Sequence, residues 1–119
     1  MYSEQLLHHF THPRNVGMLD EPALTLQVEN PVCGDILRLS ARLEGGVVTA
    51  VGYQVRGCTA SIAAGSALTE WLQGRPVAEL DDLTADELET RLGGLPSTAK
   101  HAAQLCLEAV RQLKRAASV

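Results

Sequence analysis

The sequence predicts an α+β domain: a three-stranded antiparallel sheet with helices packed on one face and a long C-terminal helix. Three observations predict it. Between residues 24 and 55, apolar residues recur at every second position in three separate runs. After Gly57 the apolar spacing changes to three and four. The strand-like runs come before the long helical ones, the layout of an α+β fold rather than of alternating βα units. At 119 residues, the chain is read as one domain, 1–119, long enough to bury a core without disulfides.

The elements follow in order. The first ten residues, MYSEQLLHHF, read as a short helix. THPRNVGMLDEP holds two prolines and a glycine and reads as an irregular connection. In LTLQVEN, Leu24, Leu26 and Val28 alternate with polar residues. In DILRLSARL, Leu37, Leu39, Ala41 and Leu43 share a face opposite Arg38 and Arg42. In VVTAVGYQVRG, Val51, Tyr53 and Val55 share a face. Such alternation marks half-buried antiparallel strands, and Glu44-Gly45-Gly46 is a hairpin turn between the second and third. TASIAAGSALTEWLQG has helical spacing, with Gly74 as its stop and Pro76 beyond it. Thr84 with Glu87 three residues on is a capping box opening a further helix. LPSTAKHAAQLCLEAVRQLKRAA is the long last helix, with Ser97 or Thr98 as its expected cap.

Composition excludes several function classes. Hydrophobic residues make up 45% and aromatics only 3%, so the core is built from Leu, Val and Ala. The net charge is −4 and no basic stripe stands out, which gives nucleic-acid binding no electrostatic footing. The opening residues lack the basic and apolar regions of a secretory signal. The longest uncharged run, Gly57 to Thr69, has 13 residues and is too short to span a bilayer. The expectation is a cytoplasmic protein with no membrane or nucleic-acid partner. Its three cysteines, Cys33, Cys58 and Cys106, are then reduced thiols, metal ligands or core residues.

Each candidate has two readings. Cys33, in NPVCGDIL, sits on a turn entering a strand. Gly34 removes the side chain between Cys33 and Asp35, so a thiolate and a carboxylate approach one ion, or the pair is a small buried residue and a turn aspartate. Cys58, in VRGCTAS, stands at a strand-to-helix switch where Gly57 allows a sharp turn. The positive end of the following helix favours its thiolate, as ligand or nucleophile, while the plainer reading is a small residue at a tight corner. Cys106 lies within the stripe Ala102, Leu105, Cys106, Ala109, Leu113 and Ala116, where a cysteine behaves as a small hydrophobe. His101 lies at the edge of that stripe. His8, His9 and His12 read as surface residues.

Taken together, YSEQLLHHFTHPRNVG, NPVCGDILRL, VRGCTASIAAGSALTEWLQGR and LPSTAKHAAQL resemble the IscU/NifU-type iron–sulfur cluster assembly scaffolds almost end to end. The resemblance implies the α+β fold described above. It also implies a metal site at one end of the molecule and a scaffold rather than an enzyme. Its partners would be a cysteine desulfurase that donates sulfur and apo iron–sulfur proteins that receive the cluster. Carried over by position, the ligands are Cys33, Asp35, Cys58 and His101. The family places a third cysteine directly after the histidine, and here that position is Ala102. Cys106 is a candidate additional ligand on nearly the same helix face, but it is displaced about 6 Å along the axis. The four-residue set suits a tetrahedral zinc ion or a transient [2Fe–2S] cluster. Cys58 or Cys33 would accept sulfur. Members served by a DnaK-type chaperone carry LPPVK where this chain reads LPSTA, so that partnership is not carried over. The alternatives are a zinc-bound sulfur acceptor and a regulatory paralogue without a cluster.

Overall fold

A computed structural model of the protein describes residues 1–31 and 34–117. The elements run α1 (Glu4–Thr11), β1 (Leu24–Glu29), β2 (Ile36–Glu44), β3 (Val47–Arg56), α2 (Thr59–Leu72), a 3-10 segment (Val77–Asp82), α3 (Ala85–Arg91), a 3-10 turn (Ser97–Ala99) and α4 (His101–Ala117). The strands form one antiparallel sheet in the order β1-β2-β3. This is the predicted α+β class. Among the described residues, no helix is long and apolar enough to cross a membrane.

Register follows from the alternation. Leu26 pairs with Leu39 and Leu39 with Tyr53; Val28 pairs with Leu37 and Leu37 with Val55. Each row therefore puts apolar side chains on one face, and a slip of one residue would expose them all. That face is covered by α4 over β1 and β2, and by α2 over β3. Ala60, Ala63, Ala64, Ala67 and Leu68 of α2 and Ala102, Leu105, Cys106, Ala109 and Leu113 of α4 are all buried there. The small alanines let both helices lie close to the sheet. Gly45 and Gly46 both have positive φ, the conformation of a two-residue hairpin turn with the twist of its strands.

The connection after α1 adds to the sheet. Gly17 N–H donates to Tyr53 O at 2.8 Å, and Tyr53 N–H donates to Asn15 O at 3.0 Å. The chain then passes over Ser40 and Gly52, with Leu19 N–H donating to Ser40 Oγ at 2.9 Å. A Cβ on Gly52 would stand 2.1 Å from Gly17 O, so this crossing exists only because residue 52 has no side chain. Gly52→Ala is expected to lower stability by about 1–3 kcal/mol through overpacking. A guanidinium titration checks this, with a lower midpoint expected at unchanged slope.

Two expectations about the helices need correction. The last helix does not start at a Ser97 or Thr98 cap. Ser97–Ala99 form a 3-10 turn and α4 begins at His101. Pro96 precedes that turn in an extended conformation, and the tighter winding takes up the residues that periodicity had assigned to the helix. His9 is also not a surface residue. It lies one turn after the fully buried Leu6, on the face of α1 that packs against α2. Its Nδ1 meets Ser66 Oγ at 2.7 Å and its Nε2 meets Glu70 Oε1 at 3.4 Å. Desolvation holds its pKa below 6.5, against the pull of Glu70 and with help from Arg14, His8 and Arg91.

The sign of the resulting pH effect is fixed. As pH falls below 6.5, the unfolded chain takes up the His9 proton before the folded one does, so stability is lost in that window. Thermal melts from pH 7.5 downward should show a steeper fall for the wild type than for His9→Gln. Parallel curves would remove His9 as the cause.

Candidate metal centre

Sheet register builds the first half of the site. Ile36 and Arg56 are the last pair between β2 and β3. The residues just beyond them, Asp35 and Gly57, are therefore neighbours. The backbone of Asp35 is fixed by Asn30 N–H, which donates to Asp35 O at 2.8 Å and closes the connection from β1. Gly34 in that connection has φ +75°, and a Cβ placed there would meet nothing within 4 Å. Its role is conformational; it does not clear space for an ion. Gly57 clears the space instead. A Cβ there would lie 2.6 Å from both Cγ and Oδ1 of Asp35, so the missing side chain is what admits the carboxylate.

Cys58 follows as the N-cap of α2, extended at ψ 168°, and its side chain makes no cap hydrogen bond. The thiol instead faces inward, 3.5 Å from Asp35 Oδ2 and 3.4 Å from Ser61 Oγ. His101, the first residue of α4, brings Nε2 to 3.5 Å from Cys58 Sγ and 3.3 Å from Asp35 Oδ2. The site thus lies where α2 and α4 both begin, beside the positive ends of both helix dipoles. Asp35 is only 5% exposed, while Cys58 and His101 are half-buried, which leaves the thiol and imidazole open to an entering ion.

Among the described residues, Asp35, Cys58 and His101 form the one group of three or more potential metal ligands. The separations can be tested against coordination geometry. A tetrahedral zinc, with Zn–S of about 2.3 Å and Zn–N and Zn–O of about 2.0–2.1 Å, sets S···N and S···O edges near 3.5 Å and an N···O edge near 3.3 Å. The observed edges are 3.5, 3.5 and 3.3 Å. A nucleophilic Cys-His-Asp relay fits less well. It needs the carboxylate on Nδ1 and the thiol on Nε2, but here both face Nε2.

Of the sequence-derived candidates, the structure brings Asp35, Cys58 and His101 together. Cys33 lies outside the described residues. Cys106 stands apart from this group, 1% exposed in the core cluster, and burial pushes its thiol pKa up to about 12. Ala102, in the position after the histidine, is fully buried as well. Sequence reasoning missed Ser61, whose hydroxyl donates to Asp35 Oδ2 at 2.5 Å. The available signal was its position three residues after Cys58, on the same side of the first turn of α2.

The fold and this cluster define a small α+β domain with a group of sulfur, oxygen and nitrogen donors that could hold a metal ion at one end of its sheet. The chain belongs to the family of NifU-like N terminal domains, whose family model matches residues 1–116. It is 35% identical over 112 residues to the iron-sulfur cluster assembly scaffold protein IscU 1 of Archaeoglobus fulgidus, covering 94% of this chain and 73% of that one. It is 38% identical over 109 residues to the iron-sulfur cluster assembly scaffold protein IscU of Aquifex aeolicus, covering 90% and 69%. The crystal structure of a nitrogen-fixing NifU-like protein (N-terminal) from Brucella abortus shares the fold, with a TM-score of 0.63 at 23% identity, covering 94% of this chain and 78% of that one.

Proposed function

We propose that this chain, acting as one domain over 1–119, is a scaffold for iron–sulfur cluster assembly. The observation that carries this is the convergence of three metal-ligand types, Asp35 Oδ2, Cys58 Sγ and His101 Nε2, within 3.5 Å of one another, in a chain similar to named scaffolds. Cys33 completes the ligand set as the fourth donor. A cysteine desulfurase supplies sulfur. The thiolate of Cys58 attacks the terminal sulfur of the donor's persulfide, and the donor's cysteine leaves as thiolate. The transferred sulfur becomes sulfide when a dithiol supplies two electrons. A cluster held partly by a carboxylate and an imidazole is bound less firmly than one held by four thiolates, which suits cargo destined for apo-proteins.

One observation favours a second reading. Ala102 fills the third-thiol position and is fully buried, so a third protein thiolate is not at hand there. A single zinc ion on the same residues, released from one thiol when sulfur arrives, needs no further cysteine.

Anaerobic reconstitution with iron, cysteine, a desulfurase and dithiothreitol separates the two. A scaffold should develop visible cluster absorption that is lost in Cys58→Ala and kept in Cys106→Ala. Zinc in stoichiometric amount with no visible absorption would select the second reading. Loss in Cys106→Ala, with Asp35→Ala and His101→Ala unaffected, would overturn the ligand set.

A further inference from the structure

Ser61 touches two of the three candidate ligands without being one itself. It lies in the first turn of α2 and is buried, 1% exposed. Its hydroxyl donates to Asp35 Oδ2 at 2.5 Å, and its Oγ stands 3.4 Å from Cys58 Sγ. Oδ2 is also the oxygen that faces Cys58 Sγ and His101 Nε2. The other oxygen, Oδ1, occupies the space a Gly57 side chain would fill, 2.6 Å from that Cβ position.

We propose that Ser61 is a positioning residue of this centre: it holds Asp35 as a ligand through one oxygen, Oδ2, and so keeps the site four-coordinate. The inference rests on the site reading above. A carboxylate oxygen accepts about two hydrogen bonds or ligand bonds. The Ser61 proton takes one position on Oδ2 and leaves the other for an ion. Binding through both oxygens would require the carboxylate to rotate, which breaks the Ser61 bond and moves Oδ1 out of the space that Gly57 leaves free. Ser61 and Gly57 therefore act from opposite sides of one side chain. Four-coordination suits zinc and iron on sulfur and nitrogen donors, and it disfavours hard ions that want six oxygens.

The test uses the full chain with zinc alone, measured by chelator competition, and with cobalt as a visible reporter of coordination number. Ser61→Ala should bind zinc about 10–100-fold more weakly, the usual loss when a ligand's hydrogen-bond partner is removed. Its cobalt band should also lose the intensity of a four-coordinate ion as the freed carboxylate turns both oxygens to the metal. Ser61→Thr keeps the hydroxyl and should restore both readouts.

Wild-type affinity and band in Ser61→Ala would overturn the proposal. So would a Thr variant as weak as the Ala variant, or a lowered melting temperature in Ser61→Ala with affinity and band unchanged. Should Ser61→Ala not fold, Ser61→Gly, which also lacks the hydroxyl and adds no metal ligand, is expected to show the same loss, and no loss there overturns the proposal. Asp35→Ala tells the two failures apart. If it leaves zinc affinity intact, the site reading falls and the Ser61 proposal with it. If Asp35→Ala weakens binding and Ser61→Ala does not, only the role of Ser61 falls.

Discussion

Gly57→Ala is expected to cost the centre on the order of 100-fold or more in zinc affinity, above the range for loss of a supporting hydrogen bond, while the fold persists. The new Cβ would stand 2.6 Å from Cγ and Oδ1 of Asp35 and 3.1 Å from its Cβ. No backbone shift relieves this cheaply, because Ile36–Arg56 pairing fixes both sides and Asn30 N–H holds the Asp35 carbonyl. The carboxylate must rotate away, which removes Oδ2 from Cys58, His101 and Ser61 together. The effect on stability is smaller, about 1–3 kcal/mol for a local overpacking, because the apolar rows between the strands are untouched. Zinc competition and chemical denaturation on the same sample check the two parts. Affinity within about threefold of the wild type, well short of the tenfold that 1.4 kcal/mol represents, would mean that Asp35 does not reach the ion through Oδ2.

That prediction depends on a distinction the sequence could not supply. VCGD and RGCT each show a glycine beside a cysteine, and spacing alone assigned Gly34 the task of clearing space and Gly57 the turn. The structure reverses them, since Gly34 has φ +75° with open space around it and Gly57 faces Asp35. Which glycine meets a side chain depends on how β2 and β3 are aligned, and a pattern along one strand does not record its partner's register. The strands themselves were legible, because within each of three short runs the apolar residues fall at every second position, as a sheet face under a layer of helices requires. His9 was not legible, because a histidine gives no sign of burial until Ser66 and Glu70 of another helix arrive beside it. The meeting of Asp35, Cys58 and His101 came from the family resemblance. Composition and periodicity alone left each of them with a plain structural reading.

Cys106 offers the second large effect. Iodoacetamide at pH 8 should leave the native Cys106 peptide unmodified over times that fully alkylate it in guanidinium, with a rate ratio of about 1000 or more. The first cause is ionisation. Desolvation raises the thiol pKa from 9.0 to about 12, which lowers the reactive thiolate fraction about 1000-fold. The neighbouring Tyr53 adds to this picture: its own pKa is pushed up to about 12, first by burial and then by Cys106, so an anion at either position would be poorly solvated. The second cause is access, because a side chain 1% exposed under α4 reacts only when the helix opens. Zinc should protect Cys58 from the reagent directly, and slow the already slow Cys106 further only by stabilising the native state against opening. The opposite pattern, a native Cys106 rate within tenfold of the denatured one that falls when zinc is added, would put Cys106 at the metal. Helix α4 would then have to shift by about 6 Å, the rise of four residues, to bring Cys106 to the place Ala102 now occupies, and the same shift would carry His101 away from Asp35 and Cys58. That shift would pull Leu105, Ala109 and Leu113 out of the core, so the alkylation rate tests the packing of the helix and the ligand set at once.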